Sequence, residues 1–231
     1  MRTKSSTPFL SFAMYLLNTN RFPKYSYDAS SSILAIERMP SAVHEKVVST
    51  VTDGFLSVRR SLPTDLRRRI DIVTKQNFRE FEGEYDGSEK TPDTAVQITD
   101  TTGMVNIKFV LEVGFSETYD MLVQDARTWI QGNYNVVLVM IVKLEENPPY
   151  RCPIRNMTDE EFEQLEFDER KNINIQSFTL EGDYGPAMYK GFLWVGEISG
   201  YCELWERDKV SGLAKLTPVG RMVSYYSESL R

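Results

Sequence analysis

Apolar positions along the chain change period, and the changes mark out its elements. From Val43 to Val58 they recur at Val43, Val47, Val51, Phe55 and Val58, one face of a helix that Ser41 is placed to cap and Leu62-Pro63 to end. Between Met104 and Val113 the period falls to two, with Val105, Ile107, Phe109, Leu111 and Val113 on one face. Thr94 to Ile98 is β-favouring, and Thr99 to Gly103 is turn chemistry, so the two runs form a predicted hairpin. Arg69 to Thr74 and Phe78 to Tyr85 read as strands upstream of it. A second helix is predicted from Glu117 to Gln131, capped by Ser116, with Tyr119, Leu122, Ala126, Trp129 and Ile130 as its apolar face and Asp120, Gln124, Arg127 and Gln131 as a polar stripe. Val136 to Val142 is continuously apolar, as a strand buried on both faces is. Strand, helix, strand implies a right-handed crossover, with the Glu112 strand parallel to the Val136 strand.

The texture changes after Val142. Glu145 to Tyr150 is an acidic, Pro-rich link, and Thr158 to Lys171 reads as a short charged helix with Phe162, Leu165 and Phe167 as its apolar contacts. Phe178–Leu180, Tyr189–Ile198 and Tyr201–Arg207 read as strands, the last two joined by a tight hairpin at Ser199-Gly200, and Leu213–Val219 as an edge. The aromatics Tyr189, Phe192, Trp194, Tyr201 and Trp205 suit a core or a dimer interface, or else a base-stacking surface. The division expected is residues 1–30 as a tail or docked segment, 31–145 as the core and 146–231 as an extension packed on it.

Composition narrows the classes. At 231 residues and 41% hydrophobic the chain can bury a full core. With a net charge of −6, any nucleic-acid contact must come from a local cluster. The one dense cluster is Arg59, Arg60, Arg67, Arg68 and Arg69, which also suits a helix C-terminus. Cys152 and Cys202 match no metal or redox spacing, which points to a reduced, intracellular setting, cytoplasmic or nuclear. The single histidine, His44, excludes a histidine-rich zinc site and reads as a capping or packing residue. Pro8 to Leu17 is apolar but too short to span a bilayer, and Asn18-Thr19-Asn20 after it is no cleavage site, so neither a membrane anchor nor secretion is expected. No phosphate-cradling glycine loop or nucleophile elbow is found, and no organic cofactor is implied.

The candidate chemistry lies in the hairpin. Centring its turn near Thr102-Gly103 sets Asp93 opposite Glu112, and opposed residues project to one face with Cβ atoms roughly 5 Å apart. Two carboxylates so close repel unless one is protonated or a cation neutralises them, and Mg²⁺ or Mn²⁺ is a natural occupant. The plain alternative is a Pro-Asp turn and an acid that merely borders a loop.

Pro92-Asp93, Glu112 about twenty residues later, the segment Glu112-Val113-Gly114-Phe115-Ser116-Glu117 and His44 on the first helix together resemble the restriction-endonuclease-like PD-(D/E)XK superfamily, closest to its Uma-type and fungal nuclease-like branches. The resemblance covers about residues 33–143. It implies an α/β (α+β) fold with an αβββαβ core, a mixed sheet flanked by helices, and a β-rich C-terminal extension. It also implies Mg²⁺-dependent phosphodiester hydrolysis, of DNA rather than RNA, with homodimerisation if the cutting is palindromic. Asp93 and Glu112 would hold the metal, with Glu45 completing the acid cluster, and Gln124 would stand beside it. The pattern's lysine falls at Gly114, leaving Arg127, Lys143 or Lys90 to supply the cation; Lys108 shares Glu112's expected face but lies too far along the strand. The alternative is a catalytically degenerate relative that binds nucleic acid or a protein partner.

Overall fold

A computed structural model of the chain describes residues 25–36, 41–165, 173–181 and 185–223. The apolar run Pro8–Leu17 and the end of the charged helix, with Phe167, lie outside them. Tyr25–Asp28 (β1) and Ile33–Ile36 (β2) pair as a small antiparallel hairpin. Then follow α1 (Ala42–Ser61), α2 (Thr64–Arg67), β3 (Ile70–Val73), β4 (Thr94–Thr99), β5 (Val105–Gly114), α3 (Tyr119–Gly132) and β6 (Leu138–Asn147). The C-terminal part adds α4 (Asp159–Gln164), β7 (Thr179–Leu180), β8 (Ala187–Tyr189), β9 (Phe192–Val195), β10 (Glu197–Arg207) and β11 (Ala214–Val223).

Six strands form one mixed sheet in the order β11-β10-β6-β5-β4-β3, in which β5 and β6 are parallel. The expected order of helix, antiparallel meander, helix and parallel strand is present. Ser41 caps α1, its hydroxyl accepting from the His44 N–H at 3.2 Å. α3 starts two residues later than expected because Thr118, not Ser116, accepts from the N–H of Met121.

The sheet separates two cores. On one face α1 lays Val43, Val47, Val48, Val51 and Phe55 over Val96, Phe109, Leu111, Val113 and Val142. On the other, α3 packs Leu122, Val123, Ala126, Trp129 and Ile130 against Ala95, Val110, Val139, Ile141 and Trp205. Two fully buried faces explain why β6 reads as unbroken apolar sequence. Ile107 belongs to the α3 face although Phe109, Leu111 and Val113 belong to the α1 face. The cause is a bulge: Val96 faces Phe109 but Gln97 faces Ile107, leaving Lys108 unopposed.

Two further expectations are corrected. Phe78 to Tyr85 is not a strand: Phe78 makes one bridge to Lys90, Gly83–Tyr85 is a 3₁₀ turn, and Phe78 and Phe81 are spent packing on the Trp129 ring. Ser199-Gly200 is not a hairpin, because β10 runs straight through it, with Gly200 opposite Leu144 of β6. A Cβ at Gly200 would lie 2.9 Å from a Leu144 methyl, so this glycine serves close approach and not a turn. The tight turn falls at Lys190-Gly191, both at positive φ, between β8 and β9. Among the described residues no helix is long and apolar enough to cross a membrane.

Candidate functional site

Asp93 stands opposite Glu112. Thr94 faces Leu111 in the ladder, and the Asp93 N–H donates to the Leu111 carbonyl at 3.1 Å. At Pro92, which is fully buried, the chain leaves the sheet, and the Asp93 side chain continues the ladder in place of main chain. Its Oδ2 accepts from the Val113 N–H at 2.8 Å and lies 3.2 Å from His44 Nε2 on α1. Glu112, 3% exposed, is engaged from the other side of the sheet, where its Oε1 accepts from the Trp129 indole N–H on α3 at 2.7 Å. Neighbours in register, the two carboxylates are therefore bonded to helices on opposite faces.

The expected lysine position is closed. A Cβ on Gly114 would sit 2.8 Å from Leu122 Cδ1, and Leu122 is fully buried. In the parallel ladder Gly114 faces Lys143. The Lys143 ammonium is itself buried and donates to the carbonyls of Phe115 at 3.1 Å and Leu144 at 2.8 Å, which ties the end of β5 to β6. Lys90, 2% exposed, pairs with the Asp125 carboxylate on α3. Asp125 is one helical turn before Trp129, so the Lys90 pair lies next to the Glu112 pair on the same helix.

The other expected site residues are dispersed. Gln124 donates to the buried Asp28 carboxylate at 3.3 Å. Arg127 is exposed, about 200° round the helix from Asp125 and Trp129, on the side of Tyr85. Glu45 lies 3.7 Å from Lys75, the carboxylate half-exposed and the lysine largely solvated. Arg59 donates to the Arg67 carbonyl at 3.1 Å and lies 3.8 Å from Asp71, and Arg69 donates to the Thr99 carbonyl at 2.7 Å. Arg59 thus pins α1 to α2 and Arg69 pins the start of β3 to the end of β4, while Arg60 and Arg68 are exposed. The cluster sits at the far end of α1 from His44, about 22 Å along the helix. Among the described residues no group of three or more His, Cys, Asp or Glu side chains is disposed to hold a metal ion.

Three features escaped the sequence. His44 does more than pack, since it bonds Asp93. Asp28 gathers donors from Ser30 at 2.7 Å, Ser31 at 2.9 Å and Gln124. Burial pushes its pKa up, yet the hydrogen bonds outweigh that and hold it below the ordinary aspartate value. Glu203, 1% exposed, accepts from Tyr119 at 3.0 Å, Trp205 at 3.1 Å and Arg221 at 2.8 Å. Arg221 also lies 3.9 Å over the Tyr201 ring, so this cluster binds β11 and β10 to the start of α3. Burial, reinforced by Glu203, raises the Tyr119 pKa. The bonds that reach across elements, His44 to Asp93, Gln124 to Asp28 and Tyr119 and Arg221 to Glu203, have no sequence signal.

Compared with known proteins, the chain matches no family model, no curated protein and no solved structure.

Proposed function

We propose that this α/β chain is a nuclease-like protein that no longer turns over and serves as a nucleic-acid-binding module. One observation carries the reading: Asp93 and Glu112 are bonded to His44 and Trp129 on opposite faces of the sheet. A donor set divided in that way does not fit one divalent cation with Mg²⁺ or Mn²⁺ geometry, which needs oxygens converging on a point. Leu122 in the space beside Gly114 supports the same reading, because a water-activating lysine has no room there. Lys90 is neutralised by Asp125 and Arg127 lies round the helix, so neither replaces it. The surface that suits phosphate is the arginine cluster, where Arg60 near the end of α1 and Arg68 just past α2 are exposed.

A second reading, a cation-dependent nuclease, draws on the register that sets Asp93 opposite Glu112. Cleavage of single- and double-stranded DNA and RNA with Mg²⁺ or Mn²⁺, alongside a filter-binding titration of the same panel, separates the two. We expect binding without cutting. Metal-dependent cutting that disappears in both Asp93→Ala and Glu112→Ala would overturn the binding-module reading.

A further inference from the structure

A pocket of about 360 Å³ opens where β6 ends, lined by Glu146, Pro148, Pro149, Tyr150, Arg151, Leu193, Trp194 and Gly196. That volume is at the lower end for small-molecule sites and suits one ring system with a short substituent. Its walls come from two parts of the chain that meet closely. A Cβ on Gly196 would fall 2.4 Å from the Pro148 carbonyl, so only glycine lets β9 and β10 close on the proline link.

The lining combines three kinds of group. Trp194 and Tyr150 offer flat apolar surface, with Trp194 oriented by its indole N–H on the Tyr189 carbonyl at 3.2 Å. Arg151 is exposed and forms no ion pair among the described residues. Glu146 is half-buried, its Oε1 accepting from the Gly196 N–H at 2.8 Å and its Oε2 from the Tyr150 N–H at 3.2 Å. Those two bonds hold the carboxylate still and occupy one acceptor position on each oxygen. A carboxylate oxygen can accept a second hydrogen bond, so Glu146 keeps the capacity to receive two adjacent N–H donors.

We propose that this pocket binds a nucleotide whose base presents two adjacent N–H donors, as the Watson–Crick edge of guanine does. The base stacks on Trp194, its N1–H and N2–H₂ donate to Glu146, and its phosphate pairs with Arg151. Such a unit comes from a free mononucleotide or from the end of a single strand. The inference does not rest on the arginine cluster, which lies at the other end of the sheet, beside Thr99 and the start of β5.

Intrinsic fluorescence tests it on the full chain. Trp129 and Trp205 are buried, so Trp194 is the tryptophan that a ligand in the pocket reaches. Titration with GMP is expected to quench it saturably, with AMP, CMP and UMP at least tenfold weaker. IMP, which lacks the N2 amino group, is expected to bind about tenfold more weakly than GMP, and this arm needs no variant. Glu146→Gln is expected to abolish the GMP preference, and Arg151→Ala to weaken GMP while leaving guanosine unchanged. Tighter binding of a short guanosine-ended oligonucleotide than of GMP would identify a strand end as the source, and the reverse a free nucleotide; both support the site. No quenching by any nucleotide, or equal affinity for GMP and IMP, would overturn it. Neither result bears on cleavage or on filter binding at the arginines.

Discussion

At the residue scale the Trp129 indole supports the burial of Glu112. Its N–H donates to a carboxylate 3% exposed, and the ring is fully enclosed by Phe78, Phe81 and the β-strand side chains. Trp129→Phe keeps an aromatic body but withdraws that donor from a buried acceptor. Such a loss costs about 1–3 kcal/mol, read as a lower urea midpoint, and Glu112→Gln in the same background is expected to recover part of it. Gly114 makes the opposite case. Restoring the lysine of the nuclease pattern by Gly114→Lys forces Leu122 out of its place, so we expect a loss of about 1–3 kcal/mol in the same assay and no gain of cleavage.

Asp28 decides how one element sits on another. The β1–β2 hairpin reaches the rest of the fold through the Tyr27–Glu89 bridge, the Ala29 N–H on the Ser88 hydroxyl and the Gln124 bond to Asp28. Because the carboxyl pKa in the folded chain lies below its unfolded value, the stabilisation is fully present above about pH 4. It is lost as pH falls through the folded value. Amide exchange at Tyr27 and Glu89, corrected for intrinsic rate, is expected to speed up across that window in the native chain and to be flat in Asp28→Asn, which is already loosened at neutral pH. At this same scale the hydrophobic period was a good guide where packing is regular. α1, β4 and α3 were legible for that reason. It failed where one residue breaks the repeat, as the Lys108 bulge does, or where apolar residues serve a loop packed on a helix, as Phe78 and Phe81 do.

For the whole molecule the charge balance sets a quantitative test. A chain with net charge −6 binds polyanions only through local cations, so affinity at the arginine cluster is expected to fall steeply with salt. Arg60→Ala and Arg68→Ala are each expected to lower the slope of log K against log salt by about one unit or slightly less, equally for all sequences, with no change in thermal midpoint. Arg59→Ala and Arg69→Ala are expected to lower that midpoint as well, because Arg59 holds α1 to α2 through the Arg67 carbonyl and Arg69 holds the start of β3 to β4 through the Thr99 carbonyl.

Local sequence determined the two main helices, the β4–β5 hairpin and its register at the Asp93 end, the parallel return of β6 and the α/β class. Each follows from periodicity, caps and turn residues acting within about thirty positions. The register even set Asp93 opposite Glu112. Only the tertiary structure decided what those acids do, because the direction of a side chain at a strand end depends on what is packed above and below it. His44 drew one carboxylate toward α1, Trp129 drew the other toward α3, and Leu122 filled the space beside Gly114. The same holds for β10. Its glycine looked like a turn from its neighbours in the chain, and became a strand centre because Leu144, on β6, needed the room.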